Sequence, residues 1–134
     1  MKVIKNLFIV DDDETFTFLT VKRISRTNLV ENIKTFQNGL DILSYLKENK
    51  KSTEVLPDVI LLDINMPIMD GWQFLERFEP LTEELKKNIV IYILSSSIFP
   101  GDIDRAKNSK IISDFIIKPF TDEKLLDITK KIAS

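Results

Sequence analysis

With 134 residues, 43% hydrophobic and 30% charged, the chain suits one globular domain with a real core and is too short for two. A net charge of −2 gives no general attraction to nucleic acid or to an acidic membrane surface, and the longest apolar run, Ile89 to Leu94, falls far below the ~18 residues that span a bilayer. The absence of Cys and His excludes disulfides, thiolate sites, the usual zinc sites and serine–histidine triads, and Lys5 and Asn6 interrupt any signal-peptide core, so a cytoplasmic protein is expected.

In chain order, a first strand is predicted over Val3 to Val10, followed by a helix from Glu14 to Arg26 with Asp13 as its N-cap. The helix carries a ragged stripe of Phe16, Leu19, Val21 and Ile24. Ile33 to Phe36 forms a short second strand, and Asn38-Gly39 turns into a helix over Leu40 to Glu48. Its core face is Leu40, Leu43 and Leu46, with Ile42 at the margin. Residues 47–53 form a polar loop, and Pro57 opens the third strand, which ends in Val59-Ile60-Leu61-Leu62. Met66-Pro67 and Asp70-Gly71 punctuate the next loop. A helix carrying Trp72, Leu75 and Phe78 follows, with Pro80 as its end, and Leu81 to Asn88 adds a turn of helix. Ile89 to Leu94 is the fourth strand, residues 96–101 a loop and Asp102 to Asn108 a short helix. Phe115 to Ile117 is the fifth strand. Thr121 caps the last helix, with core positions Leu125, Leu126 and Ile132.

Short β-rich runs alternating with helix-length stretches mean parallel strands joined by helical crossovers. The pattern is (βα)5: an α/β domain with a doubly wound, parallel, five-stranded sheet in the order 2-1-3-4-5. Ligands of such sheets bind beyond the carboxyl ends of the strands. Those ends carry Asp11-Asp12-Asp13-Glu14, Asp63, Ser95 and Lys118. Four consecutive acids repel one another unless a cation sits among them, or else they favour the start of the first helix at about 0.3–1 kcal/mol each. Neither reading prevails on that run alone. Asp63 shifts the balance, because it ends the strand expected beside the first. Carboxylates, carbonyls and water suit a hard ion such as Mg²⁺. Ser95 alone could merely start a loop, Lys118 alone is most often a solvated lysine, and Phe115 alone reads as core. Pro119 cannot continue a ladder, so it stops the fifth strand and holds Lys118 at the rim.

The segments FIVDDDE, ILLDINMPIMDG, YILSSS and DFIIKPF together resemble the response-regulator receiver domain, the chemotaxis-Y-like family, over the whole chain. The resemblance implies a flavodoxin-like receiver domain over residues 3–132 with no output domain. It implies that Asp63 is the phosphoryl acceptor, and that Asp11, Asp12, Asp63 and the backbone carbonyl of Asn65 hold Mg²⁺, or Mn²⁺ in its place. Asp12 would ligate directly and Asp11 mainly through water. Ser95 corresponds to the switch hydroxyl, Lys118 to the conserved-type lysine and Phe115 to the rotating aromatic, with Pro119 supporting the loop. The implied partners are a sensor histidine kinase or phosphotransfer protein as donor, and a downstream protein or a second copy of the chain as reader. The implied output surface is that of the fourth helix, fifth strand and fifth helix, including Ile98, Phe99 and Ile111. Such a domain is a phosphoacceptor rather than an enzyme, with no nucleic acid or membrane as partner.

Two features depart from the common pattern: serine in place of threonine at 95, and a long stretch from Glu79 to Asn88. Asp11-Asp12-Asp13-Glu14-Thr15 also fits the nucleophile motif of haloacid-dehalogenase-type phosphatases, through Asp11 and Asp13. That reading leaves Asp63 and Lys118-Pro119 unexplained and puts Gly101-Asp102 before the lysine instead of after it. A phosphate-independent interaction module is a third reading, although every site residue is present.

Overall fold

The computed structural model describes residues 2–96 and 99–133. Ten elements alternate: β1 (Ile4–Val10), α1 (Glu14–Thr27), β2 (Val30–Phe36), α2 (Gly39–Glu48), β3 (Val59–Asp63), α3 (Gly71–Leu81), β4 (Val90–Ser95), α4 (Pro100–Lys107), β5 (Ile112–Ile117) and α5 (Asp122–Ala133). The strands form one parallel sheet in the order β2-β1-β3-β4-β5, as expected. The reversal of direction from β1 puts the crevice at the carboxyl ends of β1 and β3.

Successive side chains on the central strands point to opposite faces, so one strand feeds two cores. Phe8, Val10, Ile60, Leu62, Ile91 and Ile93 pack with α2, α3 and Ala106 of α4. Leu7, Ile9, Val59, Leu61, Tyr92 and Leu94 pack with Ile24, Leu125 and Ile128 of α1 and α5. Burial on both faces is why these strands read as unbroken apolar runs. The edge strands carry a weaker apolar pattern. β2 begins at Val30 and β5 at Ile112, each earlier than expected, because Glu31-Asn32 and Ser113-Asp114 are polar. A register irregularity at Ile91/Tyr92 lies opposite that start of β5.

Several helix faces differ from the expected stripes. α1 buries Thr20 and Ile24, while Leu19 is 59% exposed. α2 buries Gly39, Ile42, Leu43 and Leu46, and Leu40 faces out. α5 buries Leu125, Ile128 and Thr129 and exposes Leu126. In each case the buried set keeps the i, i+3, i+4 spacing of one helical face, which the choice of apolar letters alone did not respect. Pro80 does not end α3, which runs on to buried Leu81. The missing N–H falls in the last turn, where the helix is already closing through Thr82 N–H to the carbonyls of Phe78 and Glu79. Residues 82–88 add a hydrogen-bonded turn, Glu84 N–H to Leu81 O, and no further helix.

α4 begins at Pro100, two residues before the expected start. It is tied to α3 by polar contacts: Trp72 Nε1 donates to Asp102 Oδ1 at 3.2 Å, and the Arg105 guanidinium stacks 4.4 Å over the indole. Arg105 also pairs with Glu76.

Candidate functional site at the carboxyl ends of the strands

Register sets the rim. Val10 lies opposite Leu62, Asp63 opposite Leu94, and Ser95 opposite Ile117, so the residues that follow each strand meet at one level. The four acids after β1 then take separate tasks. Asp13 caps α1, its Oδ1 accepting Phe16 N–H at 3.0 Å, as the sequence predicts. Glu14 accepts from Gln37 Nε2. Asp11 turns inward, only 3% exposed, with its Oδ1 accepting Asp13 N–H at 2.9 Å. Asp12 stays exposed, and one carboxylate oxygen from each of Asp11, Asp12 and Asp63 lies within 4.8 Å of the others.

Asp63 is 7% exposed at the tip of β3. Burial, reinforced by the Asp11 carboxylate, pushes its carboxyl up to about 6, against the pull of Lys118 and of the backbone N–H groups of Asn65 and Ile64. Lys118 Nζ sits 2.7 Å from Asp11 Oδ2 and 3.9 Å from Asp63 Oδ2, an internal counter-ion among three acids. The ring of Phe16 lies beneath the same ammonium, 4.2 Å from its centroid. Ser95 ends β4 at 2% exposure, and its carbonyl accepts Lys118 N–H at 2.8 Å, which joins the tips of β4 and β5. The Lys118–Pro119 peptide is cis. Phe115 is half-buried beside the α2–α3 core.

The loop from Ile64 to Asp70 is held close by two glycines. A Cβ on Gly71 would meet the Asp63 carbonyl oxygen at 2.6 Å, and one on Gly39 would meet the Met69 carbonyl oxygen at 2.9 Å. Gly71 N–H donates to Ile64 O and Gly39 N–H to Met69 O. Between them Ile68 has φ of 67°, a left-handed conformation that β-branched residues rarely adopt. The donor set fits a hard divalent cation: three carboxylates in reach of one point, two of them buried.

The response regulator receiver domain model matches residues 7–130. The chain belongs to the response-regulator receiver family. It is 30% identical to the chemotaxis protein CheY of Listeria monocytogenes over 128 residues, which cover 93% of this chain and 96% of that one. It is 25% identical to a probable methanogenesis regulatory protein, FilR2, of Methanothrix harundinacea, covering 94% of this chain and 79% of that one. A two-component response regulator from Cytophaga hutchinsonii has the same fold at a TM-score of 0.89, with 29% identity over 99% of this chain and 98% of the other.

Within this receiver, Asp11, Asp12, Asp63 and Lys118 gather at one rim, and Ser95 ends the neighbouring strand β4. The phosphatase reading is not favoured, because Asp13 is committed to capping α1 and stands outside the acid cluster. Asn65 approaches Asp63 through its N–H. Of the expected output residues, Phe99 is exposed, Ile111 packs at the core edge, and Ile98 lies outside the described residues. Sequence reasoning placed Phe16 on a core stripe and missed its contact with Lys118. A groove of about 730 Å³ lined by Phe78, Leu85, Lys86, Lys110 and Ile111 lies at the amino ends of β4 and β5, away from this chemistry. Among the described residues no helix is long and apolar enough to cross a membrane.

Proposed function

We propose that Asp63 accepts a phosphoryl group from the phosphohistidine of a sensor kinase or phosphotransfer protein, with Mg²⁺ or Mn²⁺ held by Asp11, Asp12, Asp63 and the carbonyl of Asn65. The observation that carries this is the acid cluster beneath a lysine that already reaches Asp63. An Asp63 carboxylate oxygen attacks phosphorus as the P–N bond breaks; the imidazole nitrogen keeps that electron pair and later takes a proton from water. The divalent cation would supply positive charge to the phosphoryl oxygens, where the reaction needs positioning and electrostatics more than covalent help. Lys118 supplies a second positive point from the β5 side, and the N–H groups of Ile64 and Asn65 keep the nucleophile oriented.

The Ser95 hydroxyl then turns to a phosphoryl oxygen, and the ring of Phe115 follows into the space it leaves. That repacks the surface of α4, β5 and α5, to be read by another protein or by a second copy of the chain. Residues 3–132 act as one receiver unit in this reading. Two charge-assisted contacts, at about 1.5–3 kcal/mol each, supply much of the roughly 5.5 kcal/mol that inverts a 1:99 population.

The test is incubation with acetyl phosphate or a phosphorylated kinase in the presence of Mg²⁺. A base-labile adduct should form on the wild type, be absent from Asp63→Asn, and persist in Asp13→Asn. Label that survives Asp63→Asn and vanishes in Asp11→Asn would replace this reading with a phosphatase-type nucleophile.

A further inference from the structure

Phe16 is fixed before it does anything else. Its N–H is the one that Asp13 caps, so the start of α1 holds the backbone from which the ring projects. From there the ring face lies 4.2 Å from Lys118 Nζ, well inside the ~6 Å over which an aromatic face attracts a cation. The same ammonium meets Asp11 at 2.7 Å and Asp63 at 3.9 Å. A lysine is a point charge on a flexible four-carbon stem, and the acid cluster alone gives it no single seat. Coulomb attraction favours the nearer acid, Asp11, and water would draw the ammonium outward. The ring adds a third attraction at a defined place, and it does so where the Lys118 side chain is only 14% exposed.

We propose that Phe16 is a positioning residue that seats the Lys118 ammonium between Asp11 and Asp63, and so sets the rate at which Asp63 takes a phosphoryl group. The rate half of this statement rests on the acceptor assignment above. The competing account is cover: Phe16 also packs against the α1–α5 core as a half-buried apolar side chain. Leucine covers apolar surface nearly as well but has no π face, whereas tyrosine keeps the face. The two accounts therefore predict different orders among variants.

The experiment uses the full chain as wild type, Phe16→Leu, Phe16→Tyr, Lys118→Ala and the Phe16→Leu/Lys118→Ala pair. The probes are acetyl phosphate with Mg²⁺ for the labelling rate, and NMR of the metal-free protein for the Lys118 Hε protons. Seating by the ring predicts upfield-shifted Hε signals in the wild type and Phe16→Tyr, and loss of that shift in Phe16→Leu. It predicts labelling slowed roughly three- to tenfold in Phe16→Leu and retained in Phe16→Tyr. In the Lys118→Ala background, removing the ring should cost nothing more. A Phe16→Leu protein that labels at the wild-type rate, or that loses as much rate without Lys118 as with it, overturns the proposal. Wild-type protein that takes no label while its Hε signals remain shifted refutes the acceptor assignment and upholds the seating.

Discussion

Two like charges, Asp11 and Asp63, share a buried rim, and in the metal-free protein the cost falls on Asp63. Its carboxyl is raised from an ordinary 3.8 to about 6, first by burial and then by Asp11. An acid whose folded value lies above its unfolded value binds protons more readily when folded, so its contribution is present below pH 4 and is lost as pH rises through 6. Asp63→Asn removes the ionisation. In the presence of a chelator it should therefore exceed the wild type by about 3 kcal/mol at pH 8, a gap that closes as pH falls from 6 to 4. Urea unfolding at a series of pH values measures this, and a pH-independent gap would contradict it. At this scale the letters were informative: an acid, a hydroxyl and a lysine at strand ends are legible because parallel strands bring their ends together. What the letters did not carry was geometry, such as the positive φ of Ile68 or a ring beneath an ammonium.

Elements are joined at the amino ends of the strands by a polar seam that the apolar pattern gave no reason to expect. Asn6, buried in β1, donates through Nδ2 to the carbonyls of Glu54 and Leu56 and accepts from Asn32 at Oδ1. Its N–H reaches Asp58, which pairs with Lys87, and Lys87 also donates to the carbonyls of Thr53 and Leu56. The long segment after α3 thus has a structural use: it returns Lys87 to the loop that precedes β3. Lys5–Glu54 and Lys50–Glu84 pairs lie beside it on the surface and add little. Asn6→Ala takes the side-chain donor from the Glu54 carbonyl and the acceptor from Asn32, and should destabilise the fold by about 2 kcal/mol. Denaturant melts of that variant test this. Labelling of Asp63 should be unaffected, because the seam and the site occupy opposite ends of the sheet. Stability within about 0.5 kcal/mol of the wild type, the scatter of ordinary surface substitutions, would mean that water replaces the amide without loss. The helix stripes misread in the sequence belong to this scale too. Thr20, Thr129 and Gly39 are buried and Leu19, Leu40 and Leu126 are not, because a helix face is set by angle and not by hydrophobicity alone.

For the molecule as a whole, the order of the strands is what makes the site. The unfolded chain has no point where the carboxylates of Asp12 and Asp63 meet, whereas the sheet sets β1 beside β3 and leaves them within reach of one cation. A cation that binds only the native state stabilises it by mass action, about 2.7 kcal/mol at one hundred times its dissociation constant. Saturating Mg²⁺ should therefore raise the melting temperature by several degrees, and a chelator should reverse this. Asp12→Asn should lose most of that gain while changing the metal-free melting temperature little, since Asp12 is exposed. Proton and cation compete for Asp63, so the gain from Mg²⁺ should grow as pH rises through 6, the window in which the metal-free protein loses stability. Calorimetric scans with and without Mg²⁺ at pH 5 and pH 8 check both signs. A gain that is the same at the two pH values, or that survives Asp12→Asn, would place the cation somewhere other than this rim.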